Sequence, residues 1–167
     1  MPSVYVGTYG KYNDGSIAGK WLDMDNFTDE EDFFDACHKL HKDEEDPEFM
    51  FQDYEGFPEG MISESHIDEK FWEWNELDED QKNMVEAYHS VASNPEATLS
   101  EIEDCFFGVW NSFSDYVYEA FTECNEIPDH LQNYIDWERV ERDWSYDFMI
   151  AEMGKNYNYG VYVFSNH

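Results

Sequence analysis

Two runs of carboxylates, Asp29-Glu30-Glu31-Asp32 and Asp43-Glu44-Glu45-Asp46, are the densest concentrations of ionisable groups in the chain. Carboxylates at such spacing serve three chemistries: holding a divalent cation, paired acid–base work, or presenting fixed negative charge to a partner. A calcium loop alternates oxygen ligands along about twelve residues around a central glycine and closes on a glutamate. Asp23-Met24-Asp25-Asn26 starts that way without the glycine, and Asp43 to Asp46 is contiguous rather than alternating. Cys37, His38 and His41 bring softer ligands onto one helix, with no fourth ligand at zinc-finger spacing, so they read as a buried thiol beside two solvated histidines. No dedicated metal site and no cofactor are expected.

Catalysis finds equally little support. Two acids near one another could act as in a glycosidase, but among 40 Asp and Glu that proximity is expected by chance. The chain has no GxSxG, GxxxxGK[ST], HExxH or GxGxxG, so no catalytic residue is assigned and the protein is not read as an enzyme.

What remains is the charge itself. The 40 acids face 9 Lys and Arg, a net charge of −31 on 167 residues, yet the chain also holds 13 Phe, 12 Tyr and 6 Trp. Acidic disordered tails lack aromatics, so this composition describes a folded core carrying a fixed negative field. The acids that carry it are Asp29, Glu30, Asp32 and Asp35, then Asp43, Glu44, Glu45, Asp46 and Glu48, then Asp53, Glu55 and Glu59, then Glu69, Glu73, Glu76, Asp78, Glu79 and Asp80. An ordinary solvated helix face mixes Lys with Glu, each opposite pair contributing about 0.2–0.5 kcal/mol and each like pair costing as much. Uncompensated repulsion on this scale points to a partner with a basic groove. Nucleic acid and anionic membranes would repel the chain. Duplex DNA carries one charge per ~1.7 Å, so the charge equals that of roughly 53 Å, or about 15 base pairs. A DNA-shaped decoy and a generic acidic binder of basic nucleoid or other DNA-binding proteins both fit that density.

The elements that must position these acids are short. Val4 to Tyr9 alternates like a strand, and Asn13-Asp14-Gly15 turns it towards Ile17 to Leu22. Thr28 with Glu31 has the capping-box pattern for a helix to about Lys42, with Phe33, Cys37 and Leu40 inward. Glu48 to Tyr54 is strand-like. Ser65 and Asp68, Asp78 and Gln81, and Thr98 and Glu101 open three further helices; the first two bury Ile67, Phe71 and Trp74, and Met84, Val85, Tyr88 and Val91. After the apolar run Phe106 to Trp110, a helix from about Ser114 buries Val117, Phe121 and Cys124, and another starts at Pro128-Asp129. Phe148 to Met153 and Gly160 to Phe164 form a hairpin through Asn156-Tyr157-Asn158. The expectation is an α+β fold in three small units, 1–60 mixed, 61–104 helical and 105–167 mixed. The tryptophans Trp72, Trp74, Trp110, Trp137 and Trp144 are read as packing rather than base-stacking residues, since single-strand binding would need positive charge. Three unpaired cysteines, no signal-peptide pattern and no membrane-length apolar run read as a cytoplasmic protein with buried thiols.

Specific patterns then resemble one family. Tyr5-Val6, Tyr12-Asn13-Asp14-Gly15 and Gly19-Lys20-Trp21-Leu22-Asp23 are similar to the opening of the ArdA antirestriction proteins of mobile genetic elements, and Asp53-Tyr54-Glu55-Gly56-Phe57 resembles their next hallmark. Ile127-Pro128-Asp129-His130-Leu131-Gln132-Asn133-Tyr134-Ile135-Asp136 with Arg139 and Arg142-Asp143 looks like the family's antirestriction motif. Glu141 stands where the family usually has a small residue, and Trp144 where it usually has Leu. The resemblance implies an elongated, curved, three-domain homodimer that mimics B-form DNA, occupies the DNA-binding groove of type I restriction–modification enzymes, and blocks cleavage and often methylation.

Within the motif, Leu131, Tyr134 and Ile135 are expected to pack in the core or against a second subunit. Asp129 is expected to cap a helix after Pro128 with Gln132 as its box partner, and Arg139 and Arg142 to pair with Asp136 or Asp143. Pro128 to Asp143 is thus expected to organise the dimer seam.

Overall fold

A computed structural model describes residues 1–154 and 159–166. The chain divides into two compact units, Met1–Asp78 and Glu79–His167, each α+β.

The first unit is built on a three-stranded antiparallel sheet of order β2-β1-β3, formed by β1 (Ser3–Thr8), β2 (Lys20–Asp23) and β3 (Phe49–Glu55). Val4 and Val6 of β1 are fully buried, as the alternation requires, and Tyr5 stands on the other face opposite Trp21 of β2 and Asp53 of β3. The register slips between Tyr5 and Val6, so Gln52 is an extra residue in β3. Between β1 and β2 lies a helix that hydrophobic periodicity does not reveal, α1 (Tyr9–Asn13), whose first turn is capped by the Thr8 hydroxyl accepting the Lys11 N–H. The expected Thr28–Glu31 capping box is not formed. Asp29 caps α2 (Glu30–Leu40) instead, accepting the Asp32 N–H, and the Thr28 hydroxyl donates to the Asp32 carboxylate at 2.8 Å. A carboxylate is the stronger acceptor there, and it meets the positive end of the helix dipole. Phe33 and Cys37 of α2 pack inward, Phe33 against Phe51, and α3 (Glu69–Asn75) contributes Phe71 and Trp74 to the same unit beside Ile67.

The helices expected to share one middle unit, 61–104, are divided between the two: α3 belongs to the first, α4 (Glu79–Val91) and α5 (Leu99–Cys105) to the second. The second unit centres on a sheet of order β4-β6-β5, from β4 (Phe106–Trp110), β5 (Phe148–Met153) and β6 (Gly160–Ser165). Its middle strand explains its own composition. Val161 and Val163 face a cluster with Tyr116 and Val117 of α6 (Phe113–Cys124), joined by Val140 and Trp144 of α7 (Trp137–Trp144), while Phe164 meets Tyr88 of α4. A strand covered by helices on both faces needs apolar residues at consecutive positions rather than at alternate ones. The Thr98–Glu101 capping box forms as expected. Val91 and Cys124, expected inward, are exposed; both lie at the last residue of their helix, beyond the apolar surface that covers the preceding turns. Phe121 is only half-buried, against Trp137 and Trp144. β5 and β6 pair antiparallel as expected; the turn Asn156-Tyr157-Asn158 lies outside the described residues.

Candidate functional site

Of the eighteen carboxylates singled out above, all but Glu44 are exposed. Asp29, Glu30, Asp32 and Asp35 line the side of α2 away from Phe33 and Cys37, and Glu69 and Glu73 lie on the outer side of α3 with Glu76 just beyond it. Asp53 and Glu55 lie at the end of the edge strand β3, and Asp43, Glu45, Asp46, Glu48 and Glu59 in the connections around it. Glu79 and Asp80 are the first residues of α4, in the second unit. The burial of each helix's apolar stripe turns the acids outward, so the amphipathic pattern that builds the core also sets the charged surface. Some of these acids also serve the fold: Asp29 caps α2, Asp32 accepts the Thr28 hydroxyl, and Asp53 Oδ1 accepts the Tyr54 N–H at 2.8 Å.

Glu44 is the exception because it belongs to an internal polar cluster. Its Oε1 accepts the buried Thr8 hydroxyl at 3.1 Å, and Lys11 Nζ lies 3.7 Å from its Oε2. Lys11 Nζ also donates to Asp43 at 3.0 Å and sits 2.9 Å from Nδ1 of His41, whose Nε2 is 3.0 Å from the Val6 carbonyl. Hydrogen bonding to the Lys11 ammonium lowers the Asp43 pKa below the usual carboxylate value. His41, expected to be solvated, is 1% exposed. His41, Asp43 and Glu44 bring ligand atoms within 4.8 Å of one another, but the Lys11 ammonium stands among them as the cation. Of the other two soft ligands, His38 is exposed, as expected, and Cys37 is buried in the core, a burial that pushes its thiol up to about 12.

The segment from Pro128 to Asp143 departs from the core-packing expectation. Asp129–Tyr134 is a 3₁₀ helix with no buried residue. Pro128 rather than Asp129 is its N-cap, no side chain makes the cap, and the Asp129–Gln132 box is absent. Its Leu131 and Ile135 N–H groups close on carbonyls three residues back, the 3₁₀ pattern. Leu131 is 44% and Tyr134 85% exposed, and Ile135 is half-buried, so none of the three is fully buried in the core of the chain.

Asp136 then caps α7 by accepting the Arg139 N–H, while the guanidiniums of Arg139 and Arg142 both approach Asp143, at 3.9 and 3.7 Å. Glu141 and Trp144 both make defined contacts. Glu141 accepts the Ser114 hydroxyl at 2.6 Å, tying α7 to the start of α6, and Trp144 packs against Tyr116, Phe121 and Phe148.

Fold and surface together define an acidic α+β protein whose exposed chemistry is that of fixed carboxylates. A family model described as antirestriction protein (ArdA) matches residues 4–159, nearly the whole chain and all of the Pro128–Asp143 segment, and the chain belongs to that family. Membership supports an antirestriction function, that of an inhibitor rather than an enzyme. No curated protein matches the chain. Among the described residues no helix is long and apolar enough to cross a membrane.

Proposed function

We propose that the protein is an antirestriction factor that works as a decoy for DNA. It occupies the DNA-binding groove of a type I restriction–modification enzyme and blocks restriction together with methylation. The observation that carries this reading is the outward placement of the carboxylates from Asp29 to Asp80 in a chain of the ArdA family. Lysines and arginines that neutralise phosphates in such a groove would meet carboxylates instead, each adding a modest screened attraction and the sum giving fast, salt-sensitive association. The active form is a homodimer. Leu131 and Tyr134, apolar and exposed in the protomer, supply its seam together with neighbouring residues of the Pro128–Asp143 segment.

A competition titration tests the decoy. The protein is added to a type I restriction enzyme on its DNA, with a basic DNA-binding protein from outside restriction in parallel. Near-stoichiometric loss of DNA binding, cleavage and methylation by the restriction enzyme alone is the expected result. Equal displacement of both proteins would make the chain a generic binder of basic proteins, and displacement of neither would refute the proposal.

A further inference from the structure

The carboxylate surface treats every acid alike, but the first unit also carries a cleft of about 650 Å³ whose lining is not uniform. Tyr5 and Tyr12 line it together with Asp53 and Glu64, Tyr54 borders it while its ring stacks on Phe57, and among the described residues no lysine or arginine lines it. The register of the sheet places Tyr5 of β1 directly opposite Asp53 of β3, so a phenol ring and a carboxylate leave the same face side by side. The Tyr5 ring is held by its hydroxyl donating to the Ile17 carbonyl at 2.9 Å and by the edge of Trp21, with centroids 5.6 Å apart. Gly19 lets the chain pass close to that ring, for a Cβ there would collide with the Val6 carbonyl and approach the Tyr5 ring to 2.9 Å. Asp53 is fixed by the Tyr54 N–H on Oδ1 and remains exposed, and Tyr12 is half open to solvent.

From this geometry we infer that the cleft is an anchor for an arginine side chain presented by the basic partner. This deepens the DNA-decoy reading and rests on it for the partner's identity. Aromatic faces beside a carboxylate match a guanidinium, which stacks on rings and pairs with a carboxylate through two parallel N–H bonds; an ammonium is a more strongly hydrated point charge that does neither as well. The volume exceeds one side chain and accommodates the turn of a loop that carries it. A phosphate backbone offers nothing like this cleft, so the anchor gives the decoy a contact that DNA itself does not make.

The test is an amide-resolved NMR titration of the full chain with ethylguanidinium, and with ethylammonium at matched ionic strength. Saturable shifts confined to the residues around Tyr5, Tyr12, Asp53 and Tyr54 are expected, with ethylguanidinium about threefold or more the tighter. Asp53→Asn, which keeps the Oδ1 acceptor and removes the charge, and Tyr12→Ala should each weaken that binding by about three- to tenfold, while Glu45→Gln leaves it unchanged. Shifts spread over all the acidic segments with both cations, or an Asp53→Asn protein that titrates like the parent, would overturn the anchor.

In the restriction-enzyme assay, the Asp53→Asn, Tyr12→Ala protein should need about three- to tenfold more to inhibit; unchanged inhibition would likewise overturn it. Failure of the unaltered protein to inhibit refutes the decoy, and the cation titration then decides the cleft independently.

Discussion

Lys11 Nζ lies 2.9 Å from Nδ1 of His41, and because an ammonium only donates, Nδ1 is the acceptor and the ring proton sits on Nε2. That proton is donated to the Val6 carbonyl at 3.0 Å, so one lysine fixes the tautomer of a histidine that ties α2 to β1. The same ammonium pairs with Asp43 at 3.0 Å and lies 3.7 Å from Glu44, both just past the end of α2.

Lys11→Met should therefore destabilise the first unit. It leaves the buried Nδ1 of His41 without its donor, at a cost of about 1–3 kcal/mol. Urea denaturation followed by far-UV circular dichroism measures it. A loss below about 0.3 kcal/mol would mean that the cluster is incidental to stability.

The acid dependence of the fold has two opposed parts. Protonating the surface carboxylates relieves repulsion within a chain of charge −31. Glu101 runs against that trend: hydrogen bonds from the Thr98 N–H at 2.8 Å and its hydroxyl at 2.9 Å lower the glutamate's pKa. A carboxyl depressed in the folded state contributes stability that is present above its unfolded value and disappears as pH falls through the folded one. Glu101→Ala should thus be destabilising at pH 7, with its deficit shrinking below the ordinary glutamate range. Thermal melts of both proteins from pH 7 to pH 3 check this, and a deficit that grows on acidification would contradict it.

The three thiols should separate by reactivity. Cys124 is exposed and Cys105 half-buried with its Sγ on the Ile102 carbonyl at 3.3 Å, while burial raises Cys37 to about 12. An aromatic disulfide reagent at neutral pH should label Cys124 first, Cys105 slowly and Cys37 only after denaturant is added. Mass spectrometry of the labelled peptides reads the order, and early labelling of Cys37 would show that α2 opens readily.

Much of this architecture is legible in the sequence because the interactions are local. The Thr98–Glu101 box, the β1 alternation and the Ile67, Phe71, Trp74 stripe each depend on residues a few positions apart, and each is found. The misses arise where a distant surface decides. Apolar spacing in α4 shows which side is buried but not that it lies on the sheet of the carboxy-terminal hairpin, which is why 61–104 reads as one unit while the structure divides it. Thr8 looks like the end of a strand and is also the cap of α1, a double use that periodicity cannot separate. His41 reads as solvated because its sequence neighbours are charged; its burial comes from β1, thirty-five residues earlier in the chain. For the surface, the acids are readable one by one and nearly all face outward, whereas the Tyr5–Asp53 pairing needs the strand register.

Salt should move stability and activity in opposite directions. The Debye length falls from about 10 Å at 0.1 M to about 3 Å at 1 M, so added monovalent salt screens repulsion between the acids and attraction to a basic groove alike. The melting temperature should rise by about 2–4 °C for each kcal/mol of repulsion removed, while the concentration needed for inhibition increases. A melting temperature that falls with salt would show that attractive pairs such as Lys11–Asp43 outweigh the repulsion.

Tyr134 and Leu131 give the sharpest test of assembly, because neither helps to build the core of the protomer. Exposed side chains outside a core change protomer stability by less than about 0.5 kcal/mol when replaced. Tyr134→Ala with Leu131→Ser should accordingly melt like the parent at concentrations where both are monomeric. If the two residues form the seam, the same pair of changes should lower the mass found by light scattering from two chains to one at concentrations where the parent is dimeric. Inhibition would then report whether the dimer matters: a monomer that spans half the length of groove should inhibit more weakly and with a smaller dependence on salt, since fewer charges are engaged. A double variant that remains dimeric would remove these residues from the seam, and a parent of single-chain mass would remove the dimer itself.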